Sequence, residues 1–559
     1  MRIERVNVGK ALVKIMIKNN IKHVFGLPGT QTLPIYKGIM EEEPNISHLL
    51  FRCERCAALA ATAYSKVILR PSVCDATAGP GATNAVTGVA EAWSGSVPLI
   101  CVTSDVHLSM KYKWAQQEID QVNILKPIVK RSFFATKPED AVRYFNAAFR
   151  LSISGRPGPI HVDLPADILL SDIDYVEEHE SHETYHELPY KRIEPSDEDL
   201  NKAVDIILKS NKITIIAGGG VLYSQAENEL LEFSEIVGAA VATTPFGKGC
   251  FPETHPLSIG VASILNEPSL KILDDSDLII IIGSKMDQFA TSSWQLPLYS
   301  KEIIHIDIDP EEIGRNYPIK VGLIGDAKTT LRKLIKIIKA KVKSSNKKSV
   351  REELIRELMA ERERKIKERI EFYGNKPNPY GIIKELEKIL PNDAVLIGDA
   401  SSSAWWLVYL YKLKGTGRIF LRPSSGCIGA AFPFALGAKV AREDKVVVGV
   451  GGDGGFGMSL HELETAKRLG LPVIYIVFND SALGWISFDE KELGFNKSYS
   501  TSFSQLNFDQ IAKAYGCNGI EVKEQREFKE AIKEAINSDI ATVIDIKMET
   551  FYPPKELRL

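Results

Sequence analysis

The segment VVVGVGGDGGFGMSLHELETAKRLGLPVIYIVFND, residues 446–480, constrains the fold of this chain more than any other stretch. An apolar run, Val446 to Val450, reads as a buried strand and breaks into a glycine-rich turn that carries one carboxylate, Asp453. The pattern then predicts a helix from Ser459 and a second buried strand from Val473 to Phe478, closing on Asn479. Two apolar strands joined through a helix form a βαβ unit, which requires a parallel sheet with helices on its faces. Asp453 and Asn479 then sit at the carboxyl ends of neighbouring strands, where open α/β sheets take their ligands. A carboxylate, an amide oxygen and a nearby backbone carbonyl suit a hard divalent cation such as Mg²⁺. Gly452, Gly454 and Gly455 allow backbone N–H groups to come close to a diphosphate.

At 559 residues the chain exceeds one hydrophobic core, and about three domains are expected. Three α/β blocks are visible, at 1–170, 196–338 and 377–559. The first two are separated by an acidic linker whose His179, His182 and His186 read as solvated rather than metal-binding. A charged stretch precedes the third block and predicts a loop followed by an exposed helix with opposite charges four residues apart. The opening twenty residues read as an amphipathic helix with no signal-peptide core. A net charge of −3 argues against nucleic acid or an anionic membrane as partner. The longest strongly apolar run, Leu278 to Ile282, is far too short to span a bilayer. The 7 cysteines are scattered and form no disulfide framework, so a cytoplasmic enzyme is expected. Cys53 and Cys56 make a C-x-x-C pair. With no second cysteine pair nearby, two small buried residues are favoured over a redox or metal role.

Strand, GDG turn, helix, strand and terminal Asn together resemble the thiamine-diphosphate (ThDP) binding motif, which usually closes on paired Asn and here closes on Asn479-Asp480. The whole layout is similar to the ThDP enzymes of the acetolactate synthase and pyruvate oxidase group. The resemblance implies a pyrimidine-binding domain at 1–170, a central Rossmann-like domain at 196–338 and a diphosphate- and Mg²⁺-binding domain at 377–559. Each is expected to be α/β with a mainly parallel sheet flanked by helices. Glu54, just before a small-residue helix from Ala57 to Tyr64, matches the glutamate that hydrogen-bonds the cofactor's pyrimidine ring and so makes the cofactor's own amino nitrogen a base. Gln117 matches a glutamine that faces the cofactor. Gly26, Pro28 and Gly29 match one active-site loop, and Pro80 and Asn84 fall in the loop beneath the pyrimidine. Ser402 and Ser403 stand where relatives place polar groups against the diphosphate, and their hydroxyls could equally cap a helix. The carbonyl of Gly426 and the bulky side chain of Ile428 match the segment that bends the cofactor into a V, and Leu483 joins the cofactor-contacting set. The implied metal ligands are Asp453, Asn479 and the backbone carbonyl of Ser481.

In that family the pyrimidine site of one chain faces the diphosphate site of another, which implies a homodimer or a tetramer acting on a small-molecule substrate. Two departures bear on that substrate. The family's GARFDDR segment is here Gly283-Ser284-Lys285-Met286-Asp287-Gln288-Phe289, with Phe289 in place of an arginine that meets substrate carboxylate or flavin. The acceptor-selecting helix after Asn479 is replaced by a stretch around Trp485. FAD in the central domain therefore stays open, with both departures weighing against it. His107, Gln31, Lys130 and Trp485 are the candidate substrate contacts, with Lys130 read as a solvated or ion-paired lysine. The expected reaction is decarboxylation of a 2-oxo acid such as pyruvate and transfer of the acyl carbanion to a second carbonyl. A 2-oxo-acid decarboxylase, a 2-hydroxyacyl-CoA lyase and a non-catalytic ThDP-fold subunit are the alternatives.

Overall fold

The computed structural model describes residues 3–176, 185–341, 351–415 and 420–551. Three six-stranded sheets, each parallel throughout, give the three expected α/β domains. Parallel sheets covered on both faces need strands that are apolar throughout. The strand Leu278–Ile282 (LIIII) is the plainest case and is buried at every position.

Numbered in chain order within each sheet, the strands of the first and third domains are both arranged 2-1-3-4-6-5. The second sheet runs 3-2-1-4-5-6, the dinucleotide-binding order. The first and third domains share one core. It is built where the helix Glu54–Ile68 (ERCAALAATAYSKVI) lies against the helix Ala431–Ala441 (AFPFALGAKVA). Alanine and glycine dominate that seam because the backbones nearly touch: a Cβ added at Gly437 would lie 2.0 Å from the Ala60 carbonyl oxygen.

Several expectations are corrected in detail. The chain opens on a strand, Ile3–Asn7, paired antiparallel with Asp172–Val176. The amphipathic helix starts only at Val8, where the Asn7 side chain accepts from the Lys10 N–H at 2.8 Å. The start of the acidic linker is therefore structured. His179 and His182 lie outside the described residues, and His186 stands 3.7 Å from the Glu187 carboxylate. The loop half of the later charged stretch lies largely outside the described residues, at 342–350. Its helix, Glu352–Tyr373, carries the expected surface ion pairs, such as Arg364 with Glu361 and Glu368. Yet Ile355, Arg362 and Ile366 are buried, and Arg362 donates to the Tyr409 carbonyl, so this helix braces the third domain. Among the described residues no helix is long and apolar enough to cross a membrane.

Candidate active site

In the third domain the strand Val447–Gly452 passes directly into a short helix, Asp453–Gly457. The helix expected from Ser459 follows it, as a turn Leu460–Glu462 with Ser459 at its cap position and the helix Leu463–Arg468. Gly452 ends the strand in an extended conformation, and the Gly454 N–H folds onto Asp453 Oδ1 at 2.7 Å. Asp453 is buried, and burial followed by the neighbouring Asp480 pushes its carboxyl up to about 7. Asn479 ends the next strand, Ile474–Asn479. Its Nδ2 donates to the Leu506 carbonyl at 2.9 Å and to Asp545 Oδ1 at 2.8 Å, which fixes the amide. Its Oδ1 is buried and has no donor. A buried acceptor left unpaired costs roughly 1–3 kcal/mol. A divalent cation would satisfy that oxygen and relieve the crowded carboxyls, so these residues fit Mg²⁺. Ser481 sits at φ 56°, and its carbonyl already accepts from the Phe503 N–H at 2.7 Å, leaving one lone pair for a metal.

The segment bearing Gly426 and Ile428 is held from two sides. Asp399, at the end of the strand Val395–Gly398, accepts from the N–H groups of Gly429 (2.9 Å), Ala430 (3.0 Å) and Ala431 (3.3 Å). Glu91 of the first domain accepts from the N–H groups of Ser424 (2.6 Å) and Ser425 (2.9 Å). Both carboxylates were absent from the sequence reading. Asp399 had a signal, since it ends an apolar strand just as Asp453 does. Glu91 had none, because its partners lie more than three hundred residues away. Gly426 has φ 80°, and a Cβ there would meet nothing within 4 Å, so conformation alone demands glycine. Ile428 is half-buried, as a side chain waiting for a ligand would be. The cap of the helix Ser402–Leu410 is Ser401, whose Oγ accepts from the Ser403 N–H at 3.2 Å. Ser403 is buried and its hydroxyl meets Ser401 Oγ at 2.5 Å, whereas Ser402 is only half-buried. Leu483 precedes the helix Gly484–Glu492, with Cδ2 only 2.8 Å from where a Cβ on Gly454 would lie.

In the first domain Glu54 is itself the first residue of its helix, not a residue ahead of it. It is buried, and its Oε2 accepts from Asn84 Nδ2 at 3.0 Å. A Cβ on Gly81 would lie 3.1 Å from Glu54 Oε1, so the loop Gly79–Gly81 must stay bare to approach the carboxylate. Pro80 begins the helix Pro80–Ser94, which also carries Asn84. Gln117, at φ 71°, accepts from Gln31 Nε2 at 3.0 Å, and Gln31 Oε1 accepts from Thr77 Oγ1 at 2.8 Å. Gly26 ends a strand and Gly29 follows Pro28. Added Cβ atoms would strike Asp75 at 1.9 Å and Thr77 at 2.1 Å, so both glycines serve the domain's own packing.

Of the candidate substrate contacts, Gln31 lies within this chain of amides. His107 accepts from the Ser109 N–H at 3.2 Å and stands 3.6 Å from Asp167. Trp485 meets Phe488 edge to face. Lys130 is neither solvated nor ion-paired. Its ammonium donates to the carbonyls of Leu151 (2.6 Å), Ser154 (2.7 Å) and Arg156 (2.9 Å), at the end of the helix Pro138–Ile153, and burial pulls it down to about 8. Phe289, standing for the missing arginine, packs with Phe246 and Trp405 around the buried guanidinium of Arg422. That cluster borders a cavity between the domains, lined also by Gly220, Gly283 and Asp307 at the carboxyl ends of the second sheet.

Comparison with known families gives three matches in series. "Thiamine pyrophosphate enzyme, N-terminal TPP binding domain" covers residues 6–124, the central domain of the same enzymes covers 200–334, and the C-terminal TPP binding domain covers 399–546. This chain belongs to the thiamine pyrophosphate enzyme family. A "Probable acetolactate synthase large subunit" of Methanococcus aeolicus is 34% identical over 97% of this chain and 92% of its own length. The "Acetolactate synthase large subunit" of Corynebacterium glutamicum is 33% identical over 97% and 87%. The isozyme 1 large subunit of Escherichia coli is 28% identical over 98% and 96%. The central-domain match places the glycine-lined cavity in the part of a thiamine pyrophosphate enzyme that lies between the two TPP-binding domains.

Proposed function

We propose that this chain is a Mg²⁺-dependent ThDP enzyme of the acetolactate synthase type. It decarboxylates a 2-oxo acid such as pyruvate and joins the remaining unit to a second carbonyl. The observation that supports the cofactor reading best is the orphaned Oδ1 of Asn479 beside the buried Asp453. The named relatives, matched along nearly the whole chain, support the reaction.

Bound ThDP supplies the electron sink for decarboxylation. Asp453, Asn479 and the Ser481 carbonyl would hold Mg²⁺ and through it the diphosphate, with Gly452, Gly454, Gly455 and Ser402 around them. Glu54 would hold a proton at the carboxyl oxygen that Asn84 leaves free, on the side where the pyrimidine ring would sit. Ile428 and the Gly426 carbonyl set the cofactor's shape, and Gln117 orients groups on the pyrimidine side.

The working form is read as a homodimer or a dimer of dimers in the cytoplasm. Tyr112 and Trp114, 96% and 98% exposed on a first-domain loop, and Leu493 and Tyr499 on the third domain are apolar surface of the kind interfaces cover. We assign Arg422, on its aromatic bed, to the role of the family arginine at the interdomain cavity, which Lys66, Arg156 and Lys285 also line. FAD occupancy is tested by releasing any flavin from the purified protein and reading its absorbance.

The deciding experiment incubates protein with ThDP, Mg²⁺ and pyruvate and follows products by NMR. Acetolactate is expected. Acetaldehyde alone replaces the proposal with a decarboxylase, a reading that Phe289 and the altered helix at Trp485 would then explain.

A further inference from the structure

The C-x-x-C pair around Glu54 acquires a third member in the fold. Cys53 is the residue capping the Glu54–Ile68 helix, in extended conformation, and Cys56 lies one turn on, fully buried. His461, from the short turn Leu460–Glu462 of the third domain, reaches both. One ligand atom from each of Cys53, Cys56 and His461 lies within 4.8 Å of the others, and Cys56 Sγ is 3.7 Å from His461 Nε2. In a tetrahedral zinc site, bonds of about 2.3 Å to sulfur and about 2.0 Å to nitrogen put neighbouring ligand atoms roughly 3.5–3.8 Å apart. The Cys56–His461 edge already has that length.

We propose that Cys53, Cys56 and His461 form a site for a soft divalent metal ion, Zn²⁺ by its ligand chemistry, which pins the first turn of the Glu54 helix to the third domain. Two sulfurs and an imidazole select zinc over Mg²⁺, whose set at Asp453, Asn479 and Ser481 is all oxygen. The two metals therefore do not compete. Cys53 and His461 are half-exposed, which leaves an entry path and a fourth position for water. A simple dithiol would need no imidazole, and here one arrives from another domain. Glu462, whose carboxylate accepts from the Arg52 N–H at 3.1 Å, stands 3.5 Å from the same His461 Nε2 and would give up that contact to the ion, leaving a negative charge beside it. Glu54 lies between the two sulfur ligands, so the ion would stiffen the turn that aims its carboxylate. This inference stands independently of the substrate.

The test strips the full-length, reduced protein with a chelator and titrates it with Co²⁺ as a spectroscopic probe. One Co²⁺ per chain with thiolate-to-metal charge-transfer absorption is expected, displaced by Zn²⁺ and untouched by excess Mg²⁺. His461→Ala and Cys53→Ser, both at half-exposed positions, should each weaken Co²⁺ binding at least about tenfold. Both should retain Mg²⁺-dependent ThDP binding by calorimetry, which separates loss of the site from loss of the fold. Absence of the absorption in reduced wild type, or His461→Ala binding Co²⁺ as wild type does, overturns the proposal. So does a Cys53–Cys56 disulfide that survives thiol reductant.

Discussion

The first and third domains thread their strands in the same order, yet they prepare opposite kinds of chemistry at the same end of the sheet. The first presents a buried carboxylate: Glu54 accepts from one amide, Asn84, and lies close against Gly81. The third presents the proposed cation ligands: a buried Asp453, and an Asn479 whose amide nitrogen is spent on Leu506 and Asp545 while its Oδ1 has no donor. One topology thus hosts two sites because the strand ends, not the sheet, carry the chemistry. What differs is which side chain stands at or just beyond the strand end and how its remaining hydrogen bonds are used up.

Substitutions can break this comparison. Glu54→Gln removes the proton holder and leaves the shape. Turnover should fall by roughly 10²–10⁴-fold, with ThDP affinity measured by calorimetry nearly unchanged, and wild-type turnover would sink the assignment. In the third domain Asp545→Ala frees the Asn479 amide without replacing any proposed metal ligand. Mg²⁺ affinity should fall by about 10–100-fold, read from ThDP binding at varied Mg²⁺. The Mg²⁺-sensitive part of the pH response should belong to the third domain. The Asp453 carboxyl is raised from 3.8 to about 7, so the folded apoprotein keeps a proton that the unfolded chain releases. Stability without Mg²⁺ should then decline as pH rises from about 4 to about 7 and level off above. Thermal unfolding with and without Mg²⁺ and ThDP should diverge across that window, and a pH-independent gap would refute the cause. Smallest of all, Asn84→Ala deletes one hydrogen bond to Glu54, worth about 1 kcal/mol, and should lower kcat several-fold with Mg²⁺ dependence intact.

Much of the fold was legible because buried parallel strands write themselves as unbroken apolar runs, and all three blocks carry them. The glycine-rich turn announced Asp453, and the strand end announced Asn479. The helical segment after Ser459 was legible too, whereas the short helix Asp453–Gly457 was not, because its glycines are poor helix formers. The sequence hid Glu91 and His461 for a different reason. Their partners come from another domain, and no local pattern reports a contact that only the packing of two helices creates. Lys130 was misread likewise, since a lysine given over to three carbonyls looks the same in sequence as one in water.

The grip of Glu91 on Ser424 and Ser425 has a consequence for how such proteins can be rearranged. The loop that shapes the third domain's site takes its bearings from a side chain of the first, while the helices behind it touch backbone to backbone at Gly437 and Ala60. Although the two domains look like interchangeable modules, neither can be swapped for a relative's copy unless the matching face travels with it. The pair is inherited as one piece, and a chimera cut between them would misplace Gly426 and Ile428 before any cofactor arrived.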